Sequence, residues 1–165
     1  MLRQISGLLV ILLLVSGSTI GQTKEPPKAA STGVEKFDPQ RDADKDLQSA
    51  IALAEKTNKR ILLDVGGEWC IWCHRLDSLF VANKDLSSYL HNNYVVLKIN
   101  YSKENKNEKF LSKYPEVQGY PHLFVLEGDG TFLHSQDTGE LESGKHHDRD
   151  KVFKFLKKWA PKLEI

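Results

Sequence analysis

Glu68-Trp69-Cys70-Ile71-Trp72-Cys73-His74 is the stretch on which the reading of this chain turns, and its two cysteines are the only ones in 165 residues. Before it, Arg60-Ile61-Leu62-Leu63-Asp64-Val65 is apolar apart from Asp64 and Arg60 and reads as a buried strand. After it, Leu76, Leu79 and Phe80 recur at helical spacing. A C-x-x-C pair at a strand-to-helix junction has a redox rationale. The first cysteine sits at a helix N-terminus, where unpaired N–H groups and the helix dipole favour a thiolate. The second follows about one turn later, within reach of the first. The pair therefore points to thiol–disulfide exchange.

The start of the chain bears on where that chemistry happens. Arg3 is followed by an unbroken apolar run from Leu8 to Val15 and then by the small residues of Ser16-Gly17-Ser18-Thr19-Ile20-Gly21. This order of charge, apolar run and small residues is that of a secretory signal, with cleavage expected after Gly21 or, as the alternative, after Ser18. The run is short for a membrane span of about 20 residues. No cysteine lies near the cleavage region for lipid attachment. Removing residues 1–21 takes away Arg3 and no acid, so the 23 basic residues become 22 against 22 acidic ones. Such balance gives no support for binding nucleic acid or for electrostatic attachment to a membrane, and no stable membrane insertion is expected after cleavage.

A mature chain of roughly 140 residues forms one domain that buries a core without disulfide staples. Exported cysteines normally join distant segments, whereas a Cys70–Cys73 bridge encloses only Ile71 and Trp72 and adds little by loop closure. The pair is there for chemistry.

Residues 22–36, rich in Lys, Pro, Ala, Ser and Thr, read as a flexible leader before a domain spanning 37–165. A helix is expected from about Asp44 to Asn58, capped by Asp42 or Asp44, with Leu47, Ile51 and Ala54 on one face. The Cys helix runs to about Ala82, and a short helix covers Asp85 to Asn92. Tyr94 to Asn100 is a second strand by its β-branched content. Glu104 to Tyr114 reads as a surface helix. A turn at Val117–Pro121 leads into the strand His122–Leu126, and Gly128-Asp129-Gly130 makes a hairpin into Thr131–His134. Gly139–His147 is read as a polar loop, with His146 and His147 expected to face solvent. The last helix, Asp150–Trp159, carries Val152, Leu156 and Trp159 on one face and stops before Pro161. Docking on the sheet fits it better than a membrane surface. The order is α-β-α-β-α-β-β-α, with two βα crossovers: an α/β domain with a small mixed sheet and helices on both faces.

In this order and spacing the chain resembles the thioredoxin superfamily, from roughly Ala43 to Trp159. Leu63-Asp64 ahead of Glu68-Trp69-Cys70 is similar to the segment in which a buried Asp precedes W-C-x-x-C. Lys98 falls where thioredoxins place a lysine near that Asp, and Gly119-Tyr120-Pro121 is similar to the cis-proline loop. W-C-x-W-C-H after Gly66-Gly67 looks most like exported bacterial thioredoxin-like proteins. The C-terminal domain of the periplasmic thiol:disulfide interchange electron carrier is a related example.

The resemblance implies a thioredoxin-like fold with a central mixed sheet of about four strands. It implies Cys70 as the attacking thiolate and Cys73 as the resolving thiol. Asp64, a carboxylate withdrawn from water, would take the proton from Cys73, with Lys98 either its partner or a solvated strand residue. Pro121 would be cis, and the Tyr120 backbone would pair with an extended substrate segment. Trp69 and Trp72 would supply apolar contact surface. No bound cofactor is expected, because electrons pass by thiol exchange with protein disulfide or dithiol substrates and an upstream redox partner. The protein is expected to act as a monomer, periplasmic or secreted.

The chain departs from the familiar pattern. Ile71-Trp72 replaces Gly-Pro between the cysteines, Gly66 stands where an aromatic is usual, and His74 replaces a common lysine. These residues tune thiol pKa and potential, so the direction of electron flow is left open, with Asp64 leaning towards reduction. His74 either tunes the site near neutral pH or is a solvated helix residue. Two rivals remain. Cys70–His74 matches the C-x-x-C-H haem attachment signature, although the only methionine is Met1 and the preceding strand and Gly-Tyr-Pro loop are then unexplained. A copper-binding module would use Cys70, Cys73 and one of His74, His122, His146 or His147. A cis-proline opposite the pair would obstruct it.

Overall fold

The computed structural model describes residues 36–162; the segment read as a signal, and the leader up to residue 35, lie outside the described residues. Asp42 caps the first helix, α1 (Ala43–Thr57), accepting from the backbone N–H groups of Asp44 and Lys45. Its buried stripe is Ala43, Leu47, Ala50 and Ala54, and Asn58 ends it in the left-handed conformation. The strands β1 (Arg60–Gly66), β2 (Tyr94–Asn100), β3 (His122–Leu126) and β4 (Phe132–Asp137) form one sheet in the order β2-β1-β3-β4. Strands β1 and β2 are parallel, whereas β3 runs antiparallel to β1 and to β4. Only the first connection is therefore a parallel crossover. The second, expected to be another, returns the chain on the far side of β1 in the opposite sense.

Alternation along β1 separates two cores. Ile61, Leu63 and Val65 join Val95, Leu97, Ile99, Phe124 and the α1 stripe on one face. Leu62 joins Leu123 and Val125 on the other, against α2 (Ile71–Ala82), α3 (Lys84–Asn93) and α5 (Arg149–Lys158). Because both faces are covered, all but the first residue of β1 are buried, which is why its sequence is a nearly continuous apolar run. Helix α5 is docked: Val152 and Leu156 are fully buried, and the Tyr94 hydroxyl donates to the Leu156 carbonyl at 2.8 Å. Among the described residues no helix is long and apolar enough to cross a membrane.

Two expected elements differ. The surface helix expected over 104–114 is reduced to α4, Glu108–Leu111. Local side-chain bonds hold residues 101–107 in another shape: Asn100 Nδ2 donates to the Asn105 carbonyl and Asn107 Nδ2 to the Asn100 carbonyl. Short polar side chains that bond nearby backbone compete with the helix ladder. The segment expected as an open loop over 139–147 is built. A 3₁₀ turn (Thr138–Leu141) leads into a small hairpin of β5 (Glu142–Ser143) and β6 (His146–His147). Leu141 anchors it in the second core, and His147, expected in solvent, is buried while His146 is exposed.

Candidate active site

Strand β1 ends at Gly66, and a turn in which Cys70 N–H donates to the Gly67 carbonyl at 2.9 Å delivers the chain to α2. Cys70 is the N-cap of that helix, its Sγ accepting from the Cys73 N–H at 3.1 Å. The helix dipole is thus aimed at the sulfur that sequence reasoning assigns to attack. Cys70 and Cys73 are joined as a disulfide. Both cysteines are buried, Cys70 retaining 3% of its surface and Cys73 none, so Cys70 is the less enclosed of the two.

The two glycines before the motif make room. A methyl group on Gly66 would lie 2.5 Å from Cys73 Sγ and 3.1 Å from the Phe37 ring, and one on Gly67 would meet the Trp69 ring and the Tyr101 carbonyl. An aromatic residue at 66 is excluded by Phe37, which packs on both cysteines. Phe37 is held there by its N–H, which donates to Glu68 Oε1 at 2.8 Å.

In the sheet, register places two of the expected residues side by side. Asp64 on β1 is the Cα partner of Lys98 on β2, so both side chains leave the same face. Lys98 Nζ donates to Asp64 Oδ2 at 3.1 Å, and both residues are buried. Lys98 is therefore Asp64's direct partner and not a solvated strand residue. A third member, Asp77, is not singled out by the sequence: Lys98 Nζ also donates to its Oδ1 at 2.7 Å and Oδ2 at 2.9 Å. Asp77 lies four residues after Cys73 on α2, one turn along the same face, and that spacing is the available signal. One ammonium thus serves two carboxylates. Burial draws Lys98 down, but the two acids outweigh it and hold it above its ordinary value. For Asp77, burial pushes the carboxyl up and outweighs the pull of Lys98. Lys98 also lies 4.1 Å from the centre of the Phe37 ring. Asp64 Oδ1 is buried without a hydrogen-bond partner among the described residues.

The other expected residues surround the pair. The Tyr120–Pro121 peptide bond is cis, and Tyr120 packs on the Phe37–Cys70–Cys73 cluster. Tyr120 stacks on Tyr101 (centroids 4.8 Å apart) and meets the edge of Trp69 at 5.7 Å. Trp69 is 59% exposed although its Nε1 donates to the Tyr101 carbonyl at 2.7 Å, so it offers an apolar surface held in place. An open cavity of about 510 Å³ beside it is lined by Phe37, Pro39, Trp69 and Tyr101, with Glu68 and Lys103 among its other lining residues. Trp72 packs under Arg75 on one side, 4.4 Å from the ring centre, and against His147 on another. Three of the four histidines considered for metal have separate partners, His74 the Glu68 carbonyl, His122 the Ser135 hydroxyl and His147 the Trp72 carbonyl, and the fourth, His146, is exposed. Among the described residues no group of three or more His, Cys, Asp or Glu is arranged to hold a metal ion.

This fold, with a cysteine pair at the start of α2 and a proline loop against it, defines the class of thioredoxin-like thiol–disulfide oxidoreductases. A family model described as thioredoxin-like matches residues 42–128, and the chain belongs to that family. No curated protein matches the chain. Among solved structures, a disulphide isomerase from Xylella fastidiosa Temecula1 is similar at 25% identity and a TM-score of 0.65, over 76% of this chain and 98% of that one. The oxidised C-terminal domain of DsbD from Neisseria meningitidis shares the fold at 21% identity and a TM-score of 0.54, over 76% and 99% of the two chains. A DsbH oxidoreductase does so at 20% and 0.52, over 87% and 95%.

Proposed function

We propose that this chain is an exported thiol–disulfide oxidoreductase that acts on protein disulfides, as a reductant and as a monomer. The observation that carries the reading is the disulfide seated at the N-terminus of α2, in a domain whose first strand buries a carboxylate with one unpartnered oxygen. In the reduced protein the Cys70 thiolate attacks one sulfur of a substrate disulfide. A Cys70–substrate disulfide forms and the other substrate sulfur leaves as a thiolate. Cys73 then loses its proton to Asp64 Oδ1 and attacks Cys70 Sγ, releasing the second substrate thiolate. Two electrons have passed to the substrate, and the protein is left with the Cys70–Cys73 bond. An upstream protein dithiol restores the reduced form by the same exchange in reverse.

The other site residues support these steps. Lys98 Nζ binds Asp64 Oδ2 and so fixes the carboxylate's orientation, leaving Oδ1 as the oxygen that takes the proton, while Asp77 shares the same ammonium. Trp69, Trp72 and Tyr120 give the substrate segment an apolar surface, and the Tyr120 backbone beside Pro121 pairs with it as an added strand. Export rests on the sequence of residues 1–21, with 22–36 as leader and the working domain from 37. The N-terminal sequence of the protein recovered from its native compartment tests this. A chain beginning at Gln22 or Thr19 supports export; one that keeps residues 1–21 contradicts it.

Exchange itself is tested with trapped intermediates. Cys73→Ser accumulates a mixed disulfide with a protein substrate that dithiothreitol releases, and Cys70→Ser accumulates none. Equal trapping by the two variants would overturn the assignment of Cys70 as attacker.

A further inference from the structure

The 3₁₀ turn and hairpin of residues 138–147 touch both halves of the site. At one end the Thr138 hydroxyl, itself buried, donates to the carbonyl of Pro121. At the other, the buried His147 ring lies with Nε2 3.2 Å from the carbonyl of Trp72, the second of the two residues between the cysteines. Its ring meets that of Trp72 edge-on, with centroids 5.4 Å apart. A carbonyl only accepts, so Nε2 carries a proton, while Nδ1 is buried without a partner among the described residues and burial favours the neutral ring. Between these ends the segment is tied down. Leu141 is buried in the core, and its carbonyl accepts from the Asp148 N–H at 2.8 Å. Glu142 pairs with His147 across the hairpin, and its carbonyl accepts from Lys151 Nζ at 2.7 Å.

We propose that this segment is a bracket fixing the separation of the Cys70–Cys73 turn from the proline loop, with His147 and Thr138 as its positioning residues. The proposal rests on the exchange reaction proposed above. A substrate strand held by the Tyr120–Pro121 backbone must present its sulfur in line with Cys70 Sγ, and a carbonyl on each side of that gap is pinned by one continuous piece of chain. Misplacement by about 1 Å is enough to cost a reaction about 100-fold. The Trp72 carbonyl has a second lone pair, so His147 holds it without displacing a bond of the helix ladder.

Reduction of insulin disulfides by the full mature protein, with dithiothreitol as electron source, tests the bracket. His147→Phe keeps a ring of similar bulk without the donor; His147→Gln keeps an N–H donor at a similar reach without the ring. We expect His147→Phe to lower kcat about 10- to 100-fold with little change in KM, and His147→Gln to restore most of it. Thr138→Val lowers kcat in the same way and Thr138→Ser restores it. The losses from His147→Phe and Thr138→Val do not multiply when the two are combined, because both act through one spacing. Melting temperatures of all variants identify any loss that follows unfolding, and the Gln and Ser rescues decide the case where a first variant does not fold. Equal kcat in wild type and His147→Phe, or equal losses in the Phe and Gln variants, overturns the bracket. Wild-type protein that does not reduce insulin at all overturns the exchange reading and the bracket with it; activity in all variants alike overturns the bracket alone.

Discussion

Cys73 Sγ leaves no space for a side chain at position 66, since a Cβ there would stand 2.5 Å away. Gly66→Ala therefore pushes Cys73 out of place or moves β1, and we expect a loss of about 1–3 kcal/mol in unfolding free energy, read by denaturant titration. Wild-type stability in that variant would contradict the packing described. Lys98 is the other residue on which the site depends. Lys98→Met strands two carboxylates that now share one ammonium, and breaking such a buried group is expected to cost about 3–5 kcal/mol. Because Lys98 is held above its ordinary value of 10.5, its contribution is complete below that pH and is lost as pH rises through the raised value. Unfolding followed from about pH 9 to about pH 12, against the Met variant, reads this directly. Much of the site is visible in the sequence for a simple reason. A carboxylate inside an apolar strand and a lysine inside a β-branched strand each break a pattern. Asp77 breaks none, because a carboxylate on a helix is ordinarily solvated; its four-residue spacing from Cys73 is the one signal in the sequence, and its contact with Lys98 is what gives that spacing meaning.

At the scale of elements, the strands and long helices lie where hydrophobic periodicity puts them, because each buries a regular stripe on one of two cores. The departures lie where short-range polar bonds decide the backbone. Length and polarity favour a helix from residue 104 onward, but Asn100, Asn105 and Asn107 spend their side-chain amides on nearby backbone groups. The 138–147 segment looks like solvated loop in the sequence because its anchors are few: Thr138, Leu141 and His147, scattered among polar residues. Its burial has a pH signature. His147 on β6 and His122 on β3 are held below the ordinary imidazole value, chiefly by burial. The unfolded chain therefore takes up protons first as pH falls past about 6.5, and stability declines until the folded values are passed. We expect unfolding free energy to fall between about pH 7 and about pH 5 and His147→Gln to flatten that slope; an unchanged slope would contradict the burial of His147. Asp77, held above 3.8, acts lower in the acid range and in the opposite sense.

For the molecule as a whole, the fold class is legible because the Cys pair, the interrupted strand before it and the proline loop after it occur in one order. The antiparallel return of β3 is not, since sequence periodicity carries no strand direction. The assembled domain holds a helix-capped disulfide, a buried acid–lysine pair on β1 and β2, and a cis-proline loop whose Tyr120 packs on the cysteines, which together describe a two-electron exchange site. The most direct test is the reduction potential of the Cys70–Cys73 pair, followed by tryptophan fluorescence in defined thiol–disulfide buffers. A reversible two-electron transition near about −270 mV is the expected result and makes the protein a reductant supplied by an upstream donor. A reversible transition near about −120 mV would contradict the direction proposed, and the absence of any reversible two-electron transition would contradict thiol–disulfide exchange itself.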